Sequence, residues 1–265
     1  MTANTILQNF MMERLLERIS ISPYKDNFIL KGGFLIASIV GIDMRSTMDI
    51  DTTIKGIPVN RESIEEILEE IFSVDVDDQV TFHVMNIKII HDHDEYNNFR
   101  VTTEASFFSI KVKMKIDITT GDKIIPSEIA YPFKLMFEDR YISVKAYNLN
   151  TILAEKVESI LARNISNTRA RDFYDVYILL KLKRNDLNFR RLREAIWEKA
   201  EERNTLVYIE NHEKYLNDIN ESKELLQVWD SYKNKYPYAG GIEFHEIVDL
   251  IRELLNEQQI GWQLQ

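Results

Sequence analysis

Residues 47–54 read Thr-Met-Asp-Ile-Asp-Thr-Thr-Ile. The side chains alternate, with Asp49 and Asp51 on one side and Met48, Ile50 and Thr52 on the other. Successive residues of an extended chain point to opposite faces, so the stretch is predicted to be a strand that projects two carboxylates from one face. Upstream, residues 28–40 (FILKGGFLIASIV) are apolar apart from Lys31 and hold the pair Gly32-Gly33. That pattern predicts a turn at Lys31-Gly32-Gly33 opening a buried helix, which ends at Gly41. Adjacent glycines let the backbone approach a phosphate closely, and a helix N-terminus favours an anion.

Working outward, Ile6, Phe10, Leu15, Leu16 and Ile19 recur at near-helical spacing, and Pro23 interrupts that helix. Residues 60–72 form a second amphipathic helix, with Asn60 as N-cap and Ile64, Ile67, Leu68 and Ile71 on one face. From about residue 81 to 145 the period changes to two, predicting strands at 80–90, 99–108, 110–118 and 141–147, with HDHDEYNN and TTGDKIIP between them. Beyond residue 148 the pattern turns helical, over 149–164, 170–182, 188–203 and about 243–256. Strands grouped before helices predict an α+β architecture: a mixed-sheet core over 1–147, then an all-helical domain over 148–265.

Composition narrows the function. The chain has 265 residues, with 33 Lys and Arg against 43 Asp and Glu, a net charge of −10. Such a balance argues against gripping nucleic acid by bulk charge, although a local basic stretch exists at Lys181, Lys183, Arg184, Arg190, Arg191 and Arg193. With no cysteine, disulfides, thiolate zinc sites and a cysteine nucleophile are excluded. No run approaches the roughly 18 apolar residues of a spanning helix, and the N-terminal stretch lacks a cleavage signal, so no membrane partner and a cytoplasmic location are expected.

A third carboxylate, Asp117, lies on a later predicted strand (KIDIT). Three carboxylates from neighbouring strands can hold Mg²⁺, which takes one or two carboxylates together with substrate phosphates. An aspartate pair by itself is equally what an exposed strand face carries. Lys156 and Arg163 are seven apart, two helical turns, and share a helix face where two cations could flank a triphosphate. Arg171 and Asp175, four apart, could simply pair on a helix surface, and Glu155 and Asp172 could be buried partners of the cations. His91 and His93 have no third ligand spaced nearby and read as a polar hairpin loop. Phe173, Tyr174 and Tyr177 read as packing, and Trp197, Trp229 and Trp262 as helix-packing anchors.

The order Gly-Gly, D-x-D, distant carboxylate resembles the nucleotidyltransferases of the DNA polymerase β superfamily, and within it the AbiEii/AbiGii toxin family. The resemblance is carried by Leu30-Lys31-Gly32-Gly33, Arg45-Ser46-Thr47-Met48-Asp49-Ile50-Asp51, the stretch from Lys115 to Asp122, Leu153-Ala154-Glu155-Lys156 with Arg163, and Arg171-Asp172-Phe173-Tyr174-Asp175. It covers roughly residues 28–180, and the final third carries no matching motif. It implies a nucleotidyltransferase-type mixed sheet followed by a helical domain completing the active-site cleft. Asp49 and Asp51 would be metal ligands with Asp117 as the third acidic position, and Arg45 and Thr47 would support their strand. Gly32, Gly33, Lys156 and Arg163 would meet the nucleotide phosphates, and Asp175 would complete the catalytic set. The implied activity is Mg²⁺-dependent transfer of a nucleoside monophosphate from an NTP to an acceptor hydroxyl, such as that of tRNA or another RNA. Such enzymes are toxins paired with an antitoxin protein, acting in abortive infection as phage defence. Transfer to a protein or small molecule, or partner binding without turnover, are the competing expectations.

Overall fold

The computed structural model describes residues 2–90 and 98–259. His91, His93 and Trp262 lie outside the described residues. The chain divides into two compact units, one of residues up to 122 with 128–147, the other of residues 123–127 with those from 148 on.

In the first unit the order is α1 (Ala3–Ile21), β1 (Phe28–Lys31), α2 (Gly32–Val40), β2 (Asp49–Ile54), α3 (Arg61–Phe72), β3 (Val80–Ile90), β4 (Asn98–Phe107), β5 (Ile110–Thr120), β6 (Ile129–Lys134) and β7 (Tyr141–Ala146). The strands form one seven-stranded sheet in the order β3-β4-β5-β2-β1-β7-β6. Pairs β2–β5 and β1–β7 are parallel and the others antiparallel, so the sheet is mixed. Ile50, Ile54, Ile116 and Ile118 are buried on β2 and β5. Burying a side chain of that size is worth about 1.5–3 kcal/mol. The helix over 61–72 starts as expected: Asn60 Oδ1 accepts the Ser63 N–H at 2.8 Å, and Ser63 Oγ accepts the Asn60 N–H at 2.9 Å.

Two strands were not anticipated. Strand β1 hides inside the apolar run 28–40, because a short, fully buried strand has no alternation to betray it. Strand β6 contains Pro132 and stands at the sheet edge, where a residue without an N–H costs no ladder bond. Helix α1 is also more deeply set than its apolar stripe implies. Glu13, Arg14, Glu17 and Arg18 are buried with the apolar residues. Three of these charges are paired: Arg18 binds Asp78 at 2.7 Å, Arg14 meets Glu17 at 3.0 Å and Glu138 at 2.9 Å, and Arg140 meets Glu17 at 2.6 Å, while Glu13 accepts the Met136 N–H at 3.0 Å.

The second unit contains α4 (Leu149–Arg163), α5 (Ala170–Lys183), α6 (Phe189–Glu202), α7 (Leu206–Glu210), α8 (His212–Glu221), α9 (Lys223–Lys235) and α10 (Phe244–Gln259). Segment 123–127 joins it because α4 holds that segment at its start. Asn148 Nδ2 donates to the carbonyls of Ile125 and Ser127, both at 2.9 Å, and Thr151 Oγ1 donates to that of Ile125 at 3.0 Å. An aromatic core lies between α5, α9 and α10, with Phe173, Tyr174 and Trp229 almost fully buried. Trp229 Nε1 donates to the Ile242 carbonyl at 3.0 Å, so its one polar atom is satisfied. Trp197 and Tyr177 are only half-buried.

Candidate active site

Strand β2 lies between β1 and β5, and the registers of its neighbours decide what surrounds the two aspartates. Asp51 stands opposite Lys31 on β1 and Asp117 on β5, and Asp117 stands opposite Arg100 on β4. One cross-strand row therefore reads Lys31, Asp51, Asp117, Arg100. Asp49 lies two residues along the same face, opposite Lys115. The β4–β5 register follows from the tight hairpin at Phe108-Ser109, which pairs Phe107 with Ile110 and carries the pairing through to Arg100 and Asp117.

The glycine pair sits where β1 turns into α2, against the Asp51 side chain. Gly32 has φ +65°, in the left-handed region. A Cβ there would fall on the Asp51 carboxylate, 2.6 Å from its Cγ and 2.7 Å from its Cβ. The Gly33 N–H donates to Asp51 Oδ2 at 3.3 Å. A Cβ at Gly33 would lie 2.9 Å from both Arg45 Nη2 and Thr47 Oγ1. Arg45 is buried and donates from Nη1 to the Ser46 carbonyl, while Thr47 Oγ1 donates to the Asp49 carbonyl at 3.5 Å. Arg45 and Thr47 thus brace the chain as it enters β2.

Asp49 and Asp51 are half-buried and share one face of β2. Two carboxylates so placed fit a Mg²⁺ ion that takes its remaining ligands from water and substrate phosphate. Asp117, the expected third acidic position, is held by Arg100. Arg100 forks onto it, with Nε donating to Oδ1 at 2.8 Å and Nη2 to Oδ2 at 2.6 Å. Among the described residues, no group of three or more His, Asp or Glu side chains is gathered as a metal site. The hydrogen bonds to Asp117, with the fields of Asp117, Asp49 and Asp51, hold the Arg100 guanidinium more firmly charged than usual, against a smaller effect of burial.

Beyond this row lies a polar hub that the sequence did not reveal. Asp122 Oδ2 accepts from Lys31 Nζ at 2.5 Å, Thr119 Oγ1 at 2.5 Å, Tyr147 Oη at 2.9 Å and Thr53 Oγ1. Lys31, opposite Asp51 in register, thus also brings its ammonium to Asp122. The clue in the sequence was Lys31 itself, the one charge in an apolar run. Arg100 lay in an alternating strand whose pairing partner the sequence leaves open.

In the helical unit, Lys156 Nζ contacts Asp172 Oδ1 at 2.5 Å and Asp175 Oδ2 at 3.2 Å. Asp175 is fully buried. The motif residues of α4 and α5 thus meet in one ion cluster, and Asp172 is the buried partner of Lys156. Arg163 is exposed at the end of α4 and donates from Nε to Ser159 Oγ at 3.1 Å, outside that cluster. Arg171 donates to Tyr236 Oη at 3.3 Å. In the basic stretch, Arg190 and Arg191 meet Glu194 at 3.4 and 2.8 Å, and Lys183 meets Asp186 at 3.7 Å.

The whole chain is similar in fold to two solved structures from Helicobacter pylori. One is JHP933, at 16% identity and TM-score 0.51, covering 100% of this chain and 98% of that one. The other is a protein assigned as a nucleotidyltransferase, at 15% identity and TM-score 0.52, covering 100% and 99%. No curated protein matches the chain. The family model described as nucleotidyl transferase AbiEii toxin, type IV toxin–antitoxin system, matches residues 14–249, and the chain belongs to that family. Among the described residues, no helix is long and apolar enough to cross a membrane.

Proposed function

We propose that this nucleotidyltransferase moves a nucleoside monophosphate from an NTP to an acceptor hydroxyl, with Mg²⁺, and that its acceptor is an RNA such as tRNA. The observation that carries the reading is the pair Asp49 and Asp51 on one face of β2, with the Gly32-Gly33 turn against Asp51. In the reaction the acceptor hydroxyl oxygen attacks the α-phosphorus and releases its proton to solvent, the bond to the bridging oxygen breaks, and pyrophosphate leaves. A divalent cation held by Asp49 and Asp51 would neutralise phosphate charge as that bond exchange proceeds. The chain's own part is to fix the two carboxylates: Thr47 holds the Asp49 backbone, and the Gly33 N–H holds Asp51. Gly32 and Gly33 let Asp51, Arg45 and Thr47 close against the backbone, and are assigned to the nucleotide phosphates on the strength of their motif. From the helical unit, Lys156, Arg163 and Asp175 are assigned to nucleotide handling on the strength of their motifs.

The family further supports a role as the toxin of a toxin–antitoxin pair, with an antitoxin partner and a part in abortive infection during phage attack, in the cytoplasm. A second reading, transfer to a protein or small molecule, is favoured by the net charge of −10 and by the acidic partners inside the basic stretch. Incubating wild type and Asp49→Asn with Mg²⁺, each α-labelled NTP and total tRNA separates these. Label on tRNA from wild type alone is expected. Label on protein or small acceptors would move the acceptor, and no transfer with any NTP would overturn the reaction.

A further inference from the structure

We propose that Arg100 masks Asp117, so that a divalent cation in the β2 site is held by Asp49 and Asp51 alone, and Arg100 sets how tightly. This rests on the metal reading above. Three carboxylates share this face, and both oxygens of Asp117 accept hydrogen bonds from the Arg100 fork. A bidentate guanidinium–carboxylate pair is a strong, directed arrangement, and the register places the two residues directly opposite each other. Lys31, the other cation of the row, has its ammonium on Asp122. Arg100 is thus the cation that offsets the third carboxylate. Its side chain is 45% exposed and that of Asp117 24%, so both can be replaced without opening the core.

Charge arithmetic gives the test its sign. Arg100→Gln adds one net negative charge within one or two strand spacings of the cation. That should tighten a divalent ion roughly five- to tenfold, as expected for a unit charge acting across about 5–10 Å of solvated protein. Arg100→Gln with Asp117→Asn restores the net charge and removes the third carboxylate altogether. If Asp117 is no ligand, the double variant binds metal as wild type does.

The measurement is Mn²⁺ titration followed by the electron paramagnetic resonance signal of the free ion, with and without a non-hydrolysable NTP analogue, on proteins checked by circular dichroism. The expected results are tighter binding in Arg100→Gln, a double variant within about threefold of wild type, and loss of binding in Asp49→Asn. Loss in the double variant as severe as in Asp49→Asn would make Asp117 a ligand and overturn the proposal while leaving the metal site intact. Unchanged affinity in Arg100→Gln would also overturn it. Wild-type binding in Asp49→Asn would instead sink the metal reading, and this proposal with it.

Discussion

Replacing Gly32 by alanine is the sharpest single probe of how the site is built. Two costs follow from the geometry. A non-glycine residue at φ +65° is in left-handed backbone, which costs about 1–2 kcal/mol. The added methyl also meets Asp51, with Cγ at 2.6 Å and Cβ at 2.7 Å, too close for rotation about χ1 to relieve completely. Overpacking of that kind costs about 1–3 kcal/mol, so the total expected is about 2–5 kcal/mol. The two parts separate in a double-mutant cycle with Asp51→Gly, which removes the three atoms nearest the methyl. Urea denaturation followed by far-ultraviolet circular dichroism reads the cycle; tryptophan fluorescence would not, because Trp197, Trp229 and Trp262 all lie beyond residue 148. Gly32→Ala should cost at least 1 kcal/mol more with Asp51 present than with Gly at 51, and should abolish nucleotidyl transfer. An equal cost in both backgrounds would refute the idea that the Asp51 side chain is what requires a glycine here.

Three further outcomes are expected. Burial pushes the Glu13 carboxyl up to about 7, against the lowering effect of the Met136 N–H and Arg14. Its folded-state value is raised, so its stabilising contribution is full below the ordinary glutamate range and is lost as pH rises through about 7. Glu13→Gln should therefore stabilise the protein by about 1–3 kcal/mol at pH 8 and by almost nothing at about pH 4.5; a gain independent of pH would refute this. Burial alone would raise the Asp78 carboxyl, but the Arg18 hydrogen bonds, the Val80 N–H and the charges of Arg18 and Arg14 outweigh it and hold it low. Stability from this group is present above the ordinary aspartate range and lost as pH falls through the lowered value. Arg18→Met should cost about 3–5 kcal/mol at neutral pH and flatten the acid limb of the stability curve, and a melt like wild type's at pH 7 would count against it. Lys156→Met removes the cation shared by Asp172 and the buried Asp175, and should cost about 2–4 kcal/mol besides any loss of nucleotide affinity. A variant that melts like wild type but no longer binds nucleotide would make Lys156 a ligand-binding cation and not a structural one.

Much of the site could be read from residue order because its components are local. Alternation along 47–54 suffices to put Asp49 and Asp51 on one face, since a strand has a period of two whatever it pairs with. The helix start at Gly32-Gly33 and its end at Gly41 follow from backbone freedom in the same way, and Asn60 caps its helix through a partner three residues away. What adjoins the aspartates is a different kind of information. That Asp117 faces Arg100 depends on a hairpin register, and a shift of one residue would have put the two on opposite faces. That Lys31 reaches Asp122, 91 residues on, and that Lys156 lies between Asp172 and Asp175, depends on strands and helices brought together only by packing. The sequence thus determined the carboxylate pair, the glycine turn and the α+β order, because each arises from periodicity or local backbone constraint. The tertiary structure alone decided which charges neutralise which, because a charge that packing partly removes from water is offset by whichever opposite charge the fold brings beside it, and proximity across strands is not written in the spacing of residues.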